Sequence, residues 1–145
     1  MAAPCDIRDH HVRCEPHLAR LQMMARYEAH EPLPPGLRDD VVEAASAVLA
    51  EAQAAGRVVV AALASGQRRA VTAFLDARLG RLAAAAGEMA AAAKDEDAAA
   101  LRRHLRKFEV LTSALWTVQL ELSARTVPPP SSRSTARVLL VSRTR

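Results

Sequence analysis

The stretch Leu101-Arg102-Arg103-His104-Leu105-Arg106-Lys107-Phe108-Glu109-Val110-Leu111-Thr112-Ser113-Ala114-Leu115-Trp116-Thr117-Val118-Gln119-Leu120-Glu121-Leu122 decides the fold of this 145-residue chain. Leu101, His104, Phe108, Leu111, Leu115, Val118 and Leu122 recur at alternating steps of three and four, and six of these seven are apolar. That spacing matches the a and d positions of a bundle or coiled-coil seam. Leu105, Thr112, Trp116 and Leu120 form a second stripe that widens the face. A helix apolar over so wide an arc needs two neighbours, which argues for a bundle over a two-stranded zipper.

Working back toward the N-terminus, the neighbours are legible. Lys94-Asp95-Glu96-Asp97 breaks one helix and starts the next, with Asp95 or Asp97 able to cap free N–H groups. Val71, Leu75, Leu79, Leu82, Ala86, Met89 and Ala93 share one arc and predict a helix over 67–93. Val41, Ala45, Val48, Ala52, Ala55, Val59 and Leu63 predict another over 37–64, with Asp39 and Asp40 suited to its positive end. Ser65-Gly66 is the expected turn between them. The rival is a single rod over 37–93, about 85 Å long at 1.5 Å per residue, against which the glycines at 56, 66, 80 and 87 argue. Leu18, Leu21, Met24 and Tyr27, with Met23 beside them, predict a short helix over 16–30 whose buried face they form. Pro16 fits its first turn, and Glu31-Pro32-Leu33-Pro34-Pro35-Gly36 ends it.

The expected architecture is therefore all-α. It is an antiparallel bundle of three long helices plus one short N-terminal helix over 16–125, with a flexible Cys/His-containing arm at 1–15 and a disordered basic tail at 126–145. The tail opens on Val127-Pro128-Pro129-Pro130-Ser131-Ser132 and carries Arg133, Arg137, Arg143 and Arg145 with no acid. The chain as a whole has 20 basic and 16 acidic side chains, so the surplus of +4 belongs to the tail and the body is formally neutral.

Composition excludes several classes. With 50% hydrophobic residues the chain is too apolar to be disordered throughout, and no apolar run approaches the 18–20 residues that cross a bilayer. Two cysteines make no disulfide scaffold. The N-terminus, with Asp6 and Asp9 and no apolar run, resembles neither a signal nor a transit peptide, which favours a cytoplasmic or nuclear home with reduced thiols. There is no nucleophile elbow, Walker loop, dinucleotide turn or His-Glu-x-x-His helix, so neither an enzyme nor a bound cofactor is expected.

The candidate sites follow from these patterns. Leu101, Phe108, Leu111, Leu115, Trp116, Val118 and Leu122 are expected to pair with a helical protein partner or a second copy, because 32 alanines and 3% aromatics make a thin core. Function is then non-enzymatic assembly through this seam. The alternative is binding of nucleic acid or another acidic surface by the tail and by Arg102, Arg103, Arg106 and Lys107, although these lie at outward positions and have no aromatic residue among them. Cys5, His10, Cys14 and His17, with His30 as a further ligand, are metal-ligand types, but only the Cys14–His17 gap is a familiar zinc spacing. His104 reads as a polar register residue in the seam. It lacks the lysine and glycine spacing of phosphotransfer histidines.

Overall fold

A computed structural model describes residues 6–28 and 31–126, and the expectations for Cys5, His30 and the tail from Val127 onward lie outside them. Four helices account for the fold: α1 (Ile7–Met24), α2 (Leu37–Ala61), α3 (Ser65–Lys94) and α4 (Ala98–Thr126). They run antiparallel in chain order. His10 meets Glu51 while Arg20 meets Asp40 and Glu43, so α1 and α2 run in opposite directions. Trp116 lies against His11 and Glu109 against Gln22, which closes α4 back onto α1. Gln119 reaches Ala52 of α2 across the diagonal.

α1 corrects the expected boundaries. Residues from Asp6 are not a flexible arm, because the helix begins at Ile7, and it ends at Met24 instead of continuing to 30. Asp6 caps it by accepting from the Arg8 amide at 3.2 Å, and Asp9 accepts from the Asp6 amide at 3.3 Å. These two contacts make a reciprocal capping box. The core-facing stripe is Ile7, His10, Cys14 and Leu21, so its middle is written in polar letters and escapes an apolar-period reading. Pro16 sits inside the helix, not at its start. It removes one ladder bond, and the surrounding packing holds the helix through it. Met23 points outward at 65% exposure, contrary to the expected buried face, while Leu21 and Ala25 are buried.

The expected stripe of α2 is buried in full, together with Leu63 just beyond its end. By length and composition α2 is apolar enough to cross a membrane, more than the sequence pattern led one to expect. Its stripe of Val41, Ala44, Val48, Ala52, Ala55 and Val59 faces the bundle interior, and 33% of its most apolar stretch is buried there. Before it, Gly36 caps at φ +82, a left-handed conformation that favours glycine.

Residues 37–93 form two helices, not one rod. The break is at Ala62–Ala64, and Ser65-Gly66 is already the first turn of α3. Arg68 explains the stop. Its Nε donates to the Leu63 carbonyl at 3.0 Å and its Nη2 to the Ala61 carbonyl at 3.3 Å, satisfying α2's free C-terminal acceptors. At the next corner Asp97 donates its amide to the Ala92 carbonyl at 2.9 Å, with Glu96 at φ +55 before it. Asp97 then caps α4 by accepting from the Ala100 amide at 2.9 Å.

The interior is filled by Trp116, Phe108, Leu82, Met89 and Leu115, with alanines between. The small residues have a direct structural effect. Ala52 and Ala55 on α2 let α4 approach closely enough for the Gln119 amide to donate to the Ala52 backbone carbonyl at 3.0 Å.

Candidate functional site

α4 carries the expected partner seam, and the structure divides it. Leu101, Phe108, Leu115 and Trp116 are buried in the chain's own core, so they are not open to a partner. The apolar period was built to satisfy α4's own neighbours. Leu111, Val118 and Leu122 are half-buried against that core. His104 is not interior either: its Nδ1 lies 2.9 Å from Glu88 Oε2, at the seam's edge toward α3.

What α4 leaves open is its outer face, beside α1. Trp116 and His11 stack at 4.9 Å between centroids with their planes 6° apart. Around them a shallow groove of about 190 Å³ is lined by Leu18, Glu109, Thr112, Thr117 and Leu120 among others. The Trp116 indole Nε1 is buried there without a hydrogen-bond acceptor. Outward from the groove, Val110, Ser113, Ala114 and Thr117 are exposed. None is charged, so from Glu109 to Glu121 the solvent side of α4 shows only small or apolar residues. Val110 is 67% exposed, and Val12 of α1, next to His11, is 60% exposed. Sequence periodicity could not find this strip, because it draws attention to the buried stripe. The absence of charge over three turns was the available signal.

The basic run is partly neutralised. Lys107 Nζ lies 3.3 Å from both carboxylate oxygens of Glu88, leaving Arg103 and Arg106 exposed and Arg102 half-buried.

The expected metal residues are separated by the helix and by partners of their own. His10 Nδ1 bonds Glu51 Oε2 at 2.5 Å, and Arg13 approaches the same oxygen at 3.9 Å. Cys14 is fully buried, and its thiol donates to the Val48 carbonyl at 3.8 Å. Burial, reinforced by the Glu51 charge, pushes that thiol up to about 12. A thiol held protonated is a poor metal ligand and a poor nucleophile. His17 is half-buried, and among the described residues no three His, Cys, Asp or Glu side chains gather into a metal-sized cluster. Cys14 and His17, three residues apart, fall on one side of α1 because the helix turns once in 3.6 residues.

Compared with known proteins, the chain matches no family, no curated protein and no solved structure.

Proposed function

We propose that this chain is a non-catalytic assembly module that docks a helix, from a second copy of itself, on the outer α1–α4 face. The observation that carries this reading is the uncharged strip Val110, Ser113, Ala114 and Thr117, exposed beside a groove lined by His11, Leu18 and Leu120. A solvated helix face normally carries charge, and small residues let a second backbone come close. A strip without charge is also self-complementary. Paired across a two-fold axis it meets no like charge, which is the requirement of an isologous contact. The docking surface is therefore displaced from the Leu101–Leu122 seam to the opposite side of the same helix.

Polyanion binding ranks second, because Glu88 already holds Lys107. Light scattering on the full chain at tens of micromolar separates the possibilities. The wild type should be dimeric, and Val110→Asp or Thr117→Arg should give a folded monomer. A wild-type monomer at that concentration, or a dimer indifferent to both substitutions, overturns the reading.

A further inference from the structure

A larger cavity opens on the other side of the bundle, away from the α1–α4 face. It holds about 360 Å³ between α2 and α3, with α4 as its floor. That volume lies within the range of small-molecule sites. Ala52, Gly56, Val60, Leu75, Leu79 and Leu115 make its apolar wall. Gly56 borders it: a Cβ there would reach ordinary contact with the Gln119 amide nitrogen at 3.5 Å and Leu75 at 3.8 Å, so a larger side chain would extend into the space.

Gln119 is the informative residue. It is 1% exposed and forms part of the cavity lining. Its Nε2 donates to the Ala52 carbonyl, which can only accept, so the amide orientation is fixed. Its Oε1 is then left buried with no donor. At the mouth stand Arg57, Arg68 and Asp76. Arg68 is engaged with the α2 carbonyls, while Arg57 and Asp76 form no ion pair among the described residues. Two cations against one anion leave a single positive charge, which suits a monoanion better than a phosphate dianion.

We propose that this cavity binds a small amphipathic carboxylate: a compact apolar ring system against Leu75 and Leu115, a carboxylate at Arg57, and an N–H or O–H donor directed at Gln119 Oε1. Such a ligand supplies the donor that the buried oxygen lacks and leaves its charge at the open end. The test uses indole-3-propionate and its carbon analogue indene-3-propionate, titrated calorimetrically into the full chain. Indole-3-propionate should bind with a dissociation constant on the order of 100 µM. The indene analogue, without the N–H, should bind about five- to tenfold more weakly. Gln119→Met should abolish the difference between the two. Gly56→Leu fills the cavity and should remove binding of both. Should Gly56→Leu lose its helical circular dichroism, Arg57→Glu at an exposed position replaces it, with an expected loss of about fivefold or more. Equal affinity for the two probes, no heat at millimolar concentration, or binding unchanged by Gly56→Leu or Arg57→Glu overturns the proposal.

Discussion

The two halves of the bundle are held by different chemistry. α3 and α4 bring Leu82, Met89, Phe108 and Leu115 to the interior, all buried and all without a polar atom capable of a strong hydrogen bond, and keep their polar contacts, His104 and Lys107 to Glu88, at the partly exposed edge. α1 and α2 bring Ile7, Leu21, Val41 and Val48 as well, but between them stand His10 bonded to Glu51 and Cys14 bonded to the Val48 carbonyl. Arg20 adds contacts of 3.6 Å to Asp40 and 3.5 Å to Glu43. An apolar interface tolerates small shifts in register, because burial has no direction. A hydrogen-bonded interface fixes register, because a bond missed leaves a buried group unpaired. The α1–α2 pair therefore specifies its alignment through few residues, and the α3–α4 pair through many.

The largest expected effect tests the apolar half. Phe108→Ala should destabilise the chain by about 3–5 kcal/mol in urea denaturation, by lost transfer energy plus a cavity. A loss below about 1 kcal/mol would mean that α4 repacks freely and that the stated contrast is empty. The polar half should respond less. His10→Ala leaves the Glu51 carboxylate without its near partner and should cost about 1–3 kcal/mol. A double-mutant cycle with Glu51→Gln isolates the pair, and zero coupling would make α1 an apolar helix in practice.

A smaller effect is read against pH. The Cys14 thiol is raised from 9.0 to about 12 in the folded chain, by burial first and by Glu51 second. Below pH 9 both states carry a neutral thiol and stability is unaffected. Above it the unfolded thiol ionises while the folded one does not, so stability falls as pH rises toward 12. The loss should approach about 1.4 kcal/mol per pH unit. Cys14→Ala, compared over pH 8 to 11, should remove that part of the slope. Identical slopes in the two proteins would show that Cys14 is solvated.

The same contrast explains what the sequence revealed. α2, α3 and α4 are legible because Val, Leu and Ala mark their buried stripes, and all but Leu79, Val71, Ala86 and the outer seam residues of those stripes are fully buried. The first half of α1 is not legible by apolar period, since His10 and Cys14 hold core positions. Its start was nevertheless written as Asp6-x-x-Asp9, a capping signal that needs no apolar residue. Ser65-Gly66 announces the break between α2 and α3 to within a few residues, but its place at Ala62–Ala64 depends on Arg68 reaching backward to two carbonyls, a tertiary event. Gln119 reads as a surface side chain by type and is buried, because only the alanines opposite let it in. The α2–α3 cavity shares this cause, since Gly56 viewed alone is merely a weak helix former.

The burial of Cys14 has a kinetic consequence. Its sulfur lies beneath α1 against the α2 backbone, so a thiol-trapping reagent meets it only when α1 lifts away. In a Cys5→Ser background, the rate of trapping is then a clock for the departure of one helix from an otherwise intact bundle.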